Sequence, residues 1–185
     1  MMTGYDDMAL AGIGVAMKVT MMTGMVCIGL GQGVQPLLGY CVGANLWERF
    51  KKSMNFSLIF AFCLSAVLTG LCYLFTGKIV GVFLSTPDAY DYAFRFAWIL
   101  LSTSIFFGVY YVLANSLQAM GAATEALVIN LSRQGLIYIP MLFVLRALIG
   151  INGLAWAQPV ADLLSLALVV VLYLRTFKKL SGDTK

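Results

Sequence analysis

From residue 9 to residue 38 the only charged side chain is Lys18. A helix crosses the hydrocarbon core of a bilayer with about 20 mostly apolar residues, so this run is a span with length left over to tilt or protrude. Runs of the same kind follow at about 53–75, 92–120, 125–148 and 154–174. Composition closes off the soluble alternative. Hydrophobic residues make up 61% of the 185 and charged ones 11%, against an apolar share of about 45–50% in soluble domains. The expected fold is all-α: a polytopic membrane helix bundle of about five transmembrane helices, forming a single membrane domain over residues 1–185.

Local sequence refines these spans. Over residues 29–52 the first run dissolves into Gly, Gln and Pro and then into a charged segment with Arg49, Lys51 and Lys52. Pro36 has no backbone donor, which predicts a loosened helix end that needs company from protein or a watery cavity. Gly39 and Gly43, spaced for close helix approach, are read as packing against a neighbour. Residues 77–84 read as a short amphipathic piece, followed by a turn at 85–88 and a new helix starting near Pro87. The aromatics of the third span, Phe94, Phe96, Trp98, Phe106, Phe107, Tyr110 and Tyr111, are read as lipid-facing or packing. The first turns of the fourth span carry Glu125, Asn130, Arg133 and Gln134, so that part is expected outside the hydrocarbon, with a kink at Pro140.

Lys and Arg concentrate in cytoplasmic connections. One side of the bundle receives Arg49, Lys51, Lys52, Arg133, Arg175, Lys178, Lys179 and Lys185, the other Lys78, Arg95 and Arg146. The first side, with the carboxy terminus, is expected to be cytoplasmic. An odd number of spans then puts an amino terminus with Asp6 and Asp7 outside, so the chain is expected to be the back end of something longer. The acidic start and the length of the first run do not fit a secretory signal.

Catalytic chemistry has little to work with. There is no His, the usual proton shuttle and commonest metal ligand. Cys27, Cys41, Cys63 and Cys72 are scattered without a CxxC pair and read as packing residues. The net charge of +4 has no block suited to nucleic acid. The Gly29-x-Gly31-x-Gly33 run closes a membrane helix instead of opening one after a strand, so it is no nucleotide loop. Ionisable groups within a span are read as functional. Lys18 and Asp162 fall at similar depth in the outer half of the bilayer, which leaves two arrangements open: the two face each other as a pair, or Lys18 snorkels to the surface while Asp162 bonds to a neighbouring helix or to water near Pro159. Gln32, Gln35, Asn115, Gln118 and Gln158 add neutral polar groups that predict a polar cavity beside helix breaks. Pro36, Pro140 and Pro159 are the expected bending points.

The segment GIGVAMKVTMMTGMVCIGLGQGVQPLLGYCVGANLWERFKKS resembles part of multidrug and toxic compound extrusion (MATE) transporters, where a glycine-rich helix ends in Gln-Pro-x-x-Gly-Tyr-x-x-Gly-Ala. Further on, SRQGLIYIPMLFVLRALIGINGLAWAQPVAD resembles the last two helices of that family, with an Arg, a Pro and Gln-Pro-x-x-Asp in similar order. The resemblance is to the eighth to twelfth helices. It implies most of one lobe of a two-lobed transporter and a cation-coupled antiporter exporting amphipathic or cationic drugs. It implies no bound cofactor, with H⁺ or Na⁺ supplying the coupling, although the third span offers no intramembrane acid of the kind some members carry. The implied partners are the lipid bilayer, a small amphipathic substrate, and a missing amino-terminal lobe or a partner membrane chain, with no nucleic acid. The implied location is the bacterial inner membrane. A lipid-linked oligosaccharide flippase is a second reading, disfavoured because Lys18 is the only cation expected within the membrane. A third is a non-transporting membrane fragment or interaction module. The absence of paired acids, His or a Ser–Lys constellation argues against an enzyme.

Overall fold

The computed structural model describes residues 4–83, 87–149 and 151–182. The elements in chain order are α1 (Gly4–Gly43), α2 (Trp47–Phe83), α3 (Pro87–Ser104), α4 (Phe107–Ala119), α5 (Ala123–Leu131), a π-helical turn (Ser132–Leu136), α6 (Tyr138–Ile149) and α7 (Ile151–Gly182). Among the described residues, four helical stretches are long and apolar enough to cross a bilayer, and α3 with α4, bent by 48°, make a fifth when the pair is taken as one span. The fold is therefore the expected all-α membrane bundle of about five spans.

The spans are longer and differently broken than the residue pattern implies. α1 continues through Pro36 to Gly43, so the loosened end expected there is an intact helix. It stops in a tight turn in which Asn45 takes φ 56° and the Leu46 amide donates to the Cys41 carbonyl at 2.8 Å. α2 absorbs most of the expected amphipathic piece by running from Trp47 to Phe83. The turn expected at 85–88 lies largely outside the described residues, and α3 opens at Pro87.

The third span breaks at Ile105 and Phe106. Three consecutive hydroxyl residues precede the break: Ser102 donates to the Ile99 carbonyl at 2.6 Å, and Thr103 and Ser104 to that of Leu100 at 3.4 and 3.3 Å. Such back-bonding competes with the helical ladder and bends helices. The break is supported from α2, whose Ser65 hydroxyl donates to the Ile105 carbonyl at 2.6 Å. That bond supplies the company a broken backbone requires in lipid. One turn further, a Cβ on Gly108 would sit 2.8 Å from the Ala61 carbonyl carbon of α2, so only glycine admits this approach.

The fourth span is interrupted at the π turn, where the Ile137 amide donates to the Ser132 carbonyl at 2.9 Å. Pro140 follows in the first turn of α6. A proline clashes with the carbonyl four residues before it and cannot donate to it. Here that carbonyl belongs to Leu136, at the end of the widened turn.

α1 packs chiefly against α2, α3 and α4, whereas α7 packs against α6, α3 and α4. The bent α3–α4 span is thus the shared wall between two groups of helices, leaving a cleft between α1 and the α5–α7 group. The largest core cluster, including Leu38, Phe50, Met54, Leu117, Ile129 and Val169, sits where α1, α2, α4, α5 and α7 meet. On α2, by contrast, Phe56, Ile59, Leu74 and Val82 are exposed, as befits a surface whose solvent is lipid.

Candidate functional site

Four polar stripes, each at the three- or four-residue spacing that puts side chains on one helix face, converge on the cleft. They are Gln32 and Gln35 on α1; Tyr111, Asn115 and Gln118 on α4; Asn130, Arg133 and Gln134 on α5 and the π turn; and Gln158 with Asp162 on α7. At their centre Arg133 Nε donates to Asp162 Oδ1 at 2.9 Å, with both side chains buried. Gln158 Nε2 donates to the same oxygen at 3.2 Å. Arg133 Nη1 donates to the Tyr111 hydroxyl at 2.7 Å. The guanidinium carbon lies 4.7, 4.8 and 5.2 Å from the ring centroids of Phe107, Tyr110 and Tyr111, within cation–π range. A planar, weakly hydrated guanidinium is the basic group best suited to such an enclosure.

Two cavities open on either side of this knot. One, of about 520 Å³, lies between α1 and the α6–α7 pair and is lined by Met17, Met21, Met25, Leu100, Phe107, Tyr138 and Gln158 among others. The other, of about 530 Å³, is lined by Gln32, Gln35, Asn115, Gln118, Asn130 and Gln134. Both share Ile28, Tyr111, Arg133 and Gln134 as common wall. Each falls within the roughly 300–1,000 Å³ of small-molecule sites.

The structure brings most of the expected residues together and separates one. Gln32, Gln35, Asn115 and Gln158 all line the cleft. Asp162 is buried behind it, but its ion-pair partner is Arg133, not Lys18. Lys18 is exposed on α1 and lines neither cavity. Arg133, counted from sequence among the cytoplasmic loop charges, is instead a buried residue within the fourth span. Lys18 is therefore not the only cation within a span. Likewise Phe107, Tyr110 and Tyr111, read as lipid-facing or packing side chains, enclose a guanidinium. Of the prolines, Pro140 adjoins the π turn, while Pro36 and Pro159 sit inside continuous helices. Gly43 has nothing within 4 Å of a Cβ built on it, and the close approach of α1 to α4 occurs at Gly31, where a Cβ would lie 2.9 Å from the Tyr111 carbonyl oxygen.

A multi-pass helical bundle whose polar stripes face an internal cleft has the build of a membrane transporter. The family model described as MatE matches residues 1–144, and the chain belongs to this family of multidrug efflux transporters. It is 29% identical over 176 residues to the multidrug export protein MepA of Staphylococcus aureus strain MSSA476, covering 92% of this chain. The MepA of Staphylococcus saprophyticus is 27% identical over 180 residues, or 94% of this chain. A solved structure of the MATE multidrug transporter DinF-BH, in complex with a bound compound, superposes with a TM-score of 0.80 at 28% identity, over 91% of this chain. In each case the match spans 38% of the relative's own length.

Proposed function

We propose that the chain works as the carboxy-terminal lobe of a cation-coupled antiporter that exports amphipathic or cationic drugs. The observation that carries this reading is the cleft between α1 and the α6–α7 pair, with an apolar, methionine-rich wall on one side and a buried ion pair on the other. Methionine thioethers are flexible and polarisable, so they adapt to ligands of different shape. The names of the relatives, multidrug export protein and multidrug transporter, support the substrate class. Their greater length supports a second lobe facing this one, whether in the same polypeptide or as a partner chain. Asp162 is the candidate coupling group, because Oδ2 is buried and has no hydrogen-bond partner among the described residues. The side bearing Arg49, Lys51, Lys52, Arg175, Lys178 and Lys179 faces the cytoplasm of a bacterial inner membrane in this reading.

The test is accumulation of ethidium, a fluorescent amphipathic cation, in cells expressing the chain together with an amino-terminal lobe, fused or as a partner, with H⁺ and Na⁺ gradients collapsed in turn. Lower accumulation than in control cells, restored by collapse of one gradient, is the expected result. Equal accumulation in control and expressing cells sinks the export reading. Unchanged export by Asp162→Asn removes that residue from the coupling step.

A further inference from the structure

The two cavities differ in chemistry. The first is walled by thioethers, aliphatic chains and rings. The second is walled by six carboxamides, Gln32, Gln35, Asn115, Gln118, Asn130 and Gln134, and its one charged residue is Arg133. That charge is already occupied by the Asp162 carboxylate at 2.9 Å, the Tyr111 hydroxyl at 2.7 Å and three aromatic rings. An anionic group entering the second cavity therefore meets a neutralised arginine. A cationic group meets no carboxylate among its lining residues.

The carboxamides themselves are arranged to bond outward. Asn115 and Asn130 each donate Nδ2 to the carbonyl four residues earlier, Tyr111 at 2.8 Å and Ala126 at 3.0 Å. Those bonds fix each amide and leave its oxygen as an acceptor. Gln35 and Gln118 bridge α1 to α4 at 3.4 Å, a long bond that other partners can replace. Gln32 and Gln134 are exposed and make no side-chain hydrogen bond among the described residues. A primary amide offers two donors and an acceptor with two lone pairs. A group that itself carries donors and acceptors in close alternation can satisfy several such amides at once.

Resting on the export reading and narrowing its substrate, we infer that the second cavity binds a neutral, hydrogen-bonding head group, such as a polyhydroxyl group, of an amphipathic solute. The solute's aromatic body lies in the first cavity, against the Met17, Met21 and Met25 stripe. Tyr111, on the wall common to both, marks the join. Any positive charge on an exported drug is met elsewhere than in this cavity.

The test is equilibrium binding to the full chain in lipid nanodiscs, with empty nanodiscs as background, using one coumarin with different heads. The probes are 4-methylumbelliferone and its β-glucoside, phosphate and trimethylammonioethyl ether. The glucoside is expected to bind about tenfold more tightly than the phosphate or the ammonium ether, a difference of one to two hydrogen bonds. Gln32→Leu and Gln118→Leu, both exposed side chains, are each expected to weaken the glucoside by about 3- to 10-fold. An unchanged far-ultraviolet circular dichroism spectrum of each variant reports an intact fold. The inference is overturned by tighter binding of either charged probe, by equal affinities, by glucoside binding that both leucine variants leave unchanged, or by no binding above empty nanodiscs. Binding requires no ion gradient. A chain that takes the glucoside but exports nothing with an opposing lobe present therefore defeats the export reading alone.

Discussion

The α1–α2–α4 side of the bundle and the α4–α5–α7 side are held by different physics. On the first, backbones come close enough to exclude a single methyl group: Gly31 lies against the Tyr111 carbonyl and Gly108 against Ala61. On the second, a charged pair from the π turn and α7 is buried among rings from α4. In lipid there is little hydrophobic force between helices, so close packing and interhelical polar bonds do the joining. Packing through glycine has no competing state for water or a ligand to exploit. A buried ion pair does, since each partner retains bonding capacity that a solute or proton can claim. The cleft accordingly lies on the charged side, and the glycine side forms its rigid wall.

The largest effect follows from splitting the pair. Arg133→Met or Asp162→Ala alone leaves an uncompensated buried charge and is expected to cost about 3–5 kcal/mol of stability. The double variant Arg133→Met with Asp162→Leu is expected to recover most of that loss, because an apolar pair of similar volume removes both charges together. Thermal unfolding in detergent, monitored by tryptophan fluorescence, reads both numbers. Single variants no less stable than the double would mean that the pair does not hold α7, and the contrast between the two sides would fail. On the glycine side, Gly108→Ala is expected to cost about 1–3 kcal/mol by overpacking against Ala61. No companion change on the same face should rescue it short of moving the α2 backbone. Rescue by Ala61→Gly would show that the clash is with the Ala61 side chain.

How much of this was legible in the sequence differs between the same two regions. The number of spans follows from the long apolar runs, and the cleft residues Gln32, Gln35, Asn115, Gln158 and Asp162 follow from the rarity of polar groups at membrane depth. The partner of Asp162 did not follow. Arg133 stands beside Asn130 and Gln134, and a local cluster of polar residues reads as a helix end outside the hydrocarbon. Their spacing was the missed signal, because it puts all three on one face. That face is turned inward by a π turn that no composition rule announces. The bend after Ser104 was more accessible: a Ser-Thr-Ser run in a membrane helix has hydroxyls that must bond to the preceding turn. Glycine positions were not separable by motif. The small-xxx-small spacing of Gly39 and Gly43 pointed to one glycine in ordinary contact with α4, Gly39, and one with no neighbour, and passed over the closer approach at Gly31, since which glycine meets a neighbour depends on the α1–α4 crossing point.

The bend tests the rigid wall more gently. Ser65→Ala removes the bond from α2 to the Ile105 carbonyl and is expected to cost about 1 kcal/mol. It should also raise hydrogen exchange at the amides just after the break, with exchange in α2 itself unchanged. If exchange there stays as it was, the hydroxyl run alone sets the 48° bend and α2 merely accompanies it.

The smallest effect is the one that separates glycine as a packing device from glycine as a habit of membrane sequences. A Cβ at Gly43 meets nothing within 4 Å, and one at Gly39 meets only the Ala119 carbonyl oxygen at 3.9 Å, an ordinary contact. Both residues are helical, so alanine brings no clash and a better helix propensity by about 0.5–1 kcal/mol. Gly43→Ala is therefore expected to leave the unfolding temperature unchanged or slightly raised, opposite in sign to Gly108→Ala. Gly39→Ala should be close to neutral. A clear loss of stability at Gly43 in the isolated chain would place an interhelical contact at the carboxy-terminal end of α1. The same substitution costing nothing in the isolated chain but lowering the proposed drug export in cells would point to a close approach made only against the second lobe proposed above.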